Sequence, residues 1–177
     1  MIMSGAYGME GVCLRLFNVY GPGQALSNPY TGVLAIFGSR LLNDRPPMVY
    51  EDGNQRRDFV HVRDVAMACR LALEVDAAVG GTFNIGSGHA MTIAEVADRM
   101  GRVLGRELPP QITRQYRVGD IRHCTADIGL ARRVLGYQPQ VEFEAGLTEL
   151  ARWLATQSSV DRVDAMRAEL SQRGLAL

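Results

Sequence analysis

Residues 14–24 read LRLFNVYGPGQ, and residues 51–66 read EDGNQRRDFVHVRDVA. In the first stretch, extended back to Gly11, the residues Val12, Leu14 and Leu16 alternate with others until Gly21-Pro22-Gly23 stops the pattern, which predicts a strand ending in a loop. In the second, Glu51-Asp52-Gly53-Asn54 has turn chemistry and leads into a strand over Asp58–Val62. The residues that follow place Val65, Ala68, Cys69, Ala72 and Leu73 on one face of a helix.

The alternation of short strands and helices continues on both sides. Between the two stretches, Val33, Ile36, Phe37 and Leu41 recur at helical spacing with Thr31 as the expected N-cap, until Pro46-Pro47 breaks the helix before a short strand at Met48-Val49-Tyr50. Downstream, Thr82-Phe83-Asn84-Ile85 reads as a strand running into Gly86-Ser87-Gly88. Thr92 and Glu95 form a capping box ahead of a helix whose buried stripe is Ile93, Val96, Ala97, Met100, Val103 and Leu104. An irregular basic stretch follows Pro109-Pro110. Asp127 is then the expected N-cap of a helix that Gly136 ends, and Leu147, Leu150, Ala151 and Leu154 mark a last long helix. The expected organisation is one body over residues 1–157 with an appended, charge-rich helical tail over 158–177.

Composition narrows the partners. The 177 residues are 47% hydrophobic, enough for a sizeable core, and 19 basic against 19 acidic residues leave a formal net charge of zero. No global field favours nucleic acid or an anionic membrane, so any anion must be held by local geometry. No apolar run approaches the ~20 residues of a membrane helix and the start lacks signal-peptide features, so the expectation is a soluble, cytoplasmic protein. Cys13, Cys69 and Cys124 form no CxxC pair and are expected to be reduced and mostly packed, and no metal site is expected from His61, His89 and His123.

Two suggestive patterns fail on physical grounds. Gly5, Gly8 and Gly11 have the spacing of a dinucleotide phosphate loop, but such a loop must follow a buried strand and open a helix, whereas here a strand follows Gly11. Tyr7 has Gly11, not Lys, four residues later, so it lacks the partner of a Tyr-plus-Lys proton shuttle. No Ser, His and carboxylate set in a nucleophile-elbow context is present.

Five segments in one order carry a resemblance: LRLFNVYGPGQ (14–24), EDGNQRRDFVHVRDVA (51–66), FNIGSG (83–88), RVGDIRHCTAD (117–127) and ARRVLGY (131–137). From about Met1 to Thr156 the chain resembles the C-terminal half of an extended short-chain dehydrogenase/reductase, the NAD-dependent epimerase/dehydratase family acting on nucleotide sugars. The stretch ALSNPYTGVLAIFGSRLL (25–42) is most similar to sugar-nucleotide 4-epimerases, including bacterial epimerases of dTDP-linked deoxysugars. The resemblance implies an α/β fold made of the last strands of a dinucleotide-binding sheet plus a small mixed α/β substrate-binding lobe. In that family the glycine loop and the YxxxK pair precede the LRxFNVYGPG strand. The chain is therefore expected to be a fragment lacking the N-terminal dinucleotide fold, with no catalytic residue of its own and no NAD binding alone.

The resemblance also assigns substrate contacts. Arg57 and Arg117 match the family's two diphosphate arginines, and planar guanidinium groups suit paired bonds to phosphate oxygens. Asn18 ends a strand, where an amide needs a polar partner, and by resemblance it touches sugar or phosphate. Phe17 and Val19 are then expected near the nicotinamide. Tyr50 is a candidate for packing on the base and Phe59 for lining the sugar-phosphate site, while both could equally be core aromatics. Asn28, held extended by Pro29, would face the substrate, and Asp120 would accept from a ribose hydroxyl or else be an exposed loop carboxylate. His61 and Asp64 read as structural, Asp64 suiting the first turn of its helix.

The function implied is a nucleotide-sugar 4-epimerase acting through a 4-keto intermediate with NAD as hydride carrier, this chain supplying the half that holds a UDP- or dTDP-linked sugar. The alternatives are a 4,6-dehydratase fragment and a noncatalytic binding module. An exposed apolar strand bearing Val12, Leu14 and Leu16 also leads us to expect a homo-oligomer.

Overall fold

The computed structural model describes residues 2–25, 32–116, 118–157 and 172. Its elements run α1 (Ile2–Tyr7), β1 (Cys13–Leu16), β2 (Asn18–Tyr20), α2 (Val33–Leu42), β3 (Met48–Val49), β4 (Arg56–His61) and α3 (Val62–Glu74). There follow β5 (Thr82–Ile85), β6 (Ala90–Thr92), α4 (Ile93–Leu104), β7 (Gln111–Ile112), β8 (His123–Cys124), α5 (Gly129–Leu135) and α6 (Phe143–Ala155). Residues expected to form a helical tail from Ser158 onward lie outside the described residues apart from Gln172.

The run that reads as one strand is two. β1 pairs in parallel with β5, whereas β2 pairs in parallel with β4, Asn18 facing Phe59 and Tyr20 facing His61. The chain changes sheets at Phe17, whose N–H still donates to the Ile85 carbonyl at 3.0 Å. An alternating pattern hides such a fork because both sheets impose the same period of two.

β4 joins two cores for the same reason. Phe59 packs among Tyr20, Phe37, Met100 and Leu147 with α2, α4 and α6, while its neighbour Val60 faces Phe83, Ile85, Ala131 and Tyr137 with α3, β5 and α5. The two cores meet along this one strand. Burial of each large side chain here contributes roughly 1.5–3 kcal/mol.

Local chemistry explains the element ends. Thr92 Oγ1 accepts from the Glu95 N–H and the Glu95 carboxylate accepts from the Thr92 N–H, a complete capping box, and these bonds hold the Glu95 carboxyl below its ordinary range. Gly105 and Gly136 close α4 and α5 in the left-handed region, with φ of 62° and 66°.

Five expectations need correction. β4 begins at Arg56 and Val62 already opens α3, because the β6 and β8 ladders extend pairing back to Arg56. On α3 the buried residues are Asp64, Val65 and Ala68; Cys69 is exposed and Leu73 is 90% exposed, one helical step off that face. The α2 N-cap is Gly32, with no side-chain bond, and Thr31 lies outside the described residues. The α5 N-cap is Ile128, although Asp127 Oδ1 does accept from the Gly129 N–H at 2.8 Å. The thiols likewise depart from a packed arrangement: Cys13 and Cys69 are exposed and Cys124 is half-buried, all three free.

Candidate substrate site

The site is built around the middle of β4. Here β6 pairs antiparallel on one edge, Arg57 facing Met91, and β8 pairs parallel on the other, Arg57 facing Cys124. The next residue, Asp58, is fully buried and anchors the surrounding loops. Its carboxylate accepts from the Ser87 N–H (2.7 Å), the Ser87 hydroxyl (2.8 Å), the Gly88 N–H (2.9 Å) and the Ala126 N–H (3.3 Å). Gly86 of FNIGSG is thereby explained, since a Cβ there would stand 2.5 Å from Ala126 Cβ and 2.9 Å from Asp58 Oδ2. Asp64 acts similarly, accepting from the Gln140 and Val141 N–H groups, so its role is to staple the loop before α6 to α3.

Arg57 is enclosed by the segment that leads into β8. Its Nη1 donates to the Arg56 carbonyl (2.9 Å) and the Arg122 carbonyl (2.7 Å), and its Nη2 donates to the Ile121 carbonyl (2.6 Å) and Asp120 Oδ1 (3.3 Å). Two expected residues, Arg57 and Asp120, are thus brought into contact. Asp120 also lines an open basin of about 910 Å³ together with Glu51, Asp52, Ile112, Arg114, Tyr116 and Arg122. Arg122 donates to Glu51 (2.6 Å) and Asp52 (2.8 Å), and the Arg122 guanidinium holds the Asp52 carboxyl well below the usual carboxylate range.

The other expected residues lie along the fork. Phe17 stands at the split, Asn18 and Val19 open β2 half-buried, and Asn18 sits in register with Phe59. Phe17 is where the chain passes from the β1–β5 pair to the β2–β4 pair, just beyond the carboxyl end of β1. Phe59 is buried, tilted against Phe143 at 5.9 Å, and lines a second cavity of about 490 Å³ with His89, Met91, Arg132 and Phe143. Tyr50 is half-buried at the end of β3, where its carbonyl accepts from Gln55 Nε2 at 2.9 Å. Asn28 and Arg117 lie outside the described residues.

Sequence reasoning passed over Asp58, Arg114, Tyr116 and Arg122. The first had a usable signal in the glycine-flanked Ser87; the other three sit in the basic stretch after Pro109-Pro110, which has no periodicity to read. It also passed over a compositional fact: the chain contains no lysine, all 19 of its basic residues being arginine. A Tyr-plus-Lys pair cannot come from these residues. Gly5, Gly8 and Gly11 do not form a phosphate loop, because Gly8 (φ 64°) ends a helix and Gly11 leads into a strand, the reverse of that geometry. Among the described residues no group of three or more His, Cys, Asp or Glu side chains could hold a metal, and no helix is long and apolar enough to cross a membrane.

Known proteins share both sequence and shape with this chain. Residues 2–86 match the profile of the NAD dependent epimerase/dehydratase family. The dTDP-L-rhamnose 4-epimerase of Burkholderia thailandensis is 42% identical over 145 residues, 81% of this chain and 39% of that protein. The UDP-N-acetylglucosamine 4-epimerase of Methanobrevibacter ruminantium, solved in complex with UDP-N-acetylmuramic acid, superposes with a TM-score of 0.81 at 35% identity, covering 88% of this chain and 49% of that one. The UDP-glucose 4-epimerase of Thermus thermophilus, solved with NAD, gives 0.75 at 31% identity over 88% of this chain and 50% of that one. The chain thus spans about half the length of the relatives it matches. With the ordered segments, the forked sheet and these likenesses agreeing, the chain belongs to the NAD-dependent epimerase/dehydratase family.

Proposed function

We propose that the chain binds a UDP- or dTDP-linked sugar as the substrate-holding portion of a nucleotide-sugar 4-epimerase. The observation that carries this reading is the fork at Phe17. It sets Phe17, Asn18 and Val19 at the carboxyl end of β1, between two parallel strand pairs, in a chain whose relatives are named as 4-epimerases of dTDP- and UDP-sugars. NAD, when bound, would supply a reversible hydride acceptor for such a reaction.

The contribution of this chain is binding and orientation. Asn18 offers an amide NH₂ as donor and an amide oxygen as acceptor to the sugar or phosphate, Tyr50 an aromatic face to the base, Asp120 an acceptor to the ribose, and the arginine-rich segment 114–122 positive charge to the diphosphate. Saturation-transfer NMR with UDP-glucose, a dTDP-linked sugar and free glucose tests the reading. Transfer to the base and ribose protons of the nucleotide sugars, with none to free glucose, is the expected result. Equal absence of transfer from all three in folded protein overturns it.

A further inference from the structure

We propose that the cavity beside β6 is a second ligand site, for a small monocarboxylate with an aromatic or branched apolar body, independent of the nucleotide reading. Its place in the sheet sets it apart. β6 and β8 both pair with β4 at Arg56 and Arg57, so they occupy opposite edges of that strand, and β2 lies on the edge away from β6. Asn18 on β2 and the segment Asp120–Arg122 that leads into β8 therefore belong to one edge. The cavity, walled by His89 and Met91, belongs to the other. Its volume of about 490 Å³ suits a small molecule, and such sites are mostly apolar with a few convergent polar groups.

The walls match that description. Phe59 and Phe143, with ring centroids 5.9 Å apart, form an aromatic floor that Met91 extends. Around it stand Arg132, Gln138, His89 and Glu142, and none of these four side chains makes a hydrogen bond or ion pair among the described residues. The basin on the opposite edge differs, because Arg122 there is held by Glu51 and Asp52. Arg132 reaches over the corner at Gly88, its Nη2 4.0 Å from where a Cβ on that glycine would stand. A planar guanidinium with open donors takes a carboxylate through two parallel bonds. Glu142 sets a negative charge on the same rim, which disfavours a phosphate dianion, while the aromatic floor takes an apolar body.

Ligand-observed NMR titrations of the full chain decide the matter, with 3-phenylpropionate, its uncharged counterpart 3-phenylpropanol, inorganic phosphate and UDP as probes. Wild type should bind phenylpropionate at least about 10-fold more tightly than phenylpropanol, the difference that one guanidinium–carboxylate pair supplies. Neither phosphate nor UDP should displace it. Arg132→Gln, a change on the exposed side of α5, should abolish the preference and leave the affinity for phenylpropanol within about 2-fold of wild type. Met91→Trp, which fills the cavity, should weaken both probes at least about 10-fold; if that variant does not fold, Arg132→Gln decides alone. Binding of neither probe by folded wild type, equal affinity for the two, a preference that survives Arg132→Gln, or displacement by phosphate or UDP overturns the proposal.

Discussion

Replacing Asp58 by Asn changes one oxygen of a fully buried carboxylate into an NH₂ group. The least harmful placement puts that group toward Ser87, whose hydroxyl can turn and accept from it, but the Ser87 N–H, 2.7 Å from the lost acceptor, then has no partner. An unsatisfied buried donor costs about 1–3 kcal/mol, and the remaining bonds, from Gly88 and Ala126, each lose their charge assistance, about 1 kcal/mol apiece. The total is about 3–5 kcal/mol. With a urea m-value of about 2 kcal/mol per M, the unfolding midpoint should fall by roughly 1.5–2.5 M, read by circular dichroism. Ser87→Ala, which removes the hydroxyl's bond to Asp58 and its contact with the His89 backbone but leaves the Ser87 N–H bond in place, should cost about 1–2 kcal/mol. A midpoint for Asp58→Asn within about 0.3 M of wild type would refute the view that this carboxylate organises the loops around β4.

Other outcomes follow from the same geometry. Gly86→Ala should destabilise by about 1–3 kcal/mol in the same urea assay, because the new methyl meets Ala126 and Asp58. His61 is buried against Tyr20 with Glu149 3.7 Å away, and burial holds its pKa below the ordinary 6.5, so the unfolded chain takes up a proton first as pH falls. Stability should therefore be constant above about pH 7 and decline as pH drops through 6.5, and His61→Asn should flatten that decline. The exposed thiols Cys13 and Cys69 should react with a disulfide reagent in the native state faster than half-buried Cys124, resolved by peptide mass spectrometry. Light scattering should show self-association that weakens on Leu16→Ser. Leu16 is 49% exposed on β1, which has no strand on its other edge among the described residues, and the exposed Tyr7 and Met9 precede that strand in sequence.

Much of this architecture was legible because its signals are local. The capping box at Thr92 and Glu95, the stripe of α6 and the glycine stop at Gly136 each depend on residues within one or two turns. The split at Phe17 was not legible, since which sheet a strand joins is settled by partners far along the chain, Phe59 for Asn18 and Ile85 for Leu16. Cys69 and Leu73 were misplaced because both look apolar in sequence, and only the rotation of α3 against Val60 and Phe83 decides which face is inside. At the candidate site, resemblance named Arg57 and Asp120, and the structure joined them. That four donors of Arg57 are occupied could not be read from the chain, because three of its acceptors lie on the distant segment 120–122.

Calorimetric titration of UDP, dTDP and uridine into the folded chain tests the central claim most directly. The account predicts that both diphosphates bind, about 10- to 100-fold more tightly than uridine, one or two charge-assisted bonds from the arginine-rich segment making the difference. It also predicts no heat with NAD. Binding of NAD without UDP or dTDP, or affinities for the diphosphates no greater than for uridine, would contradict it.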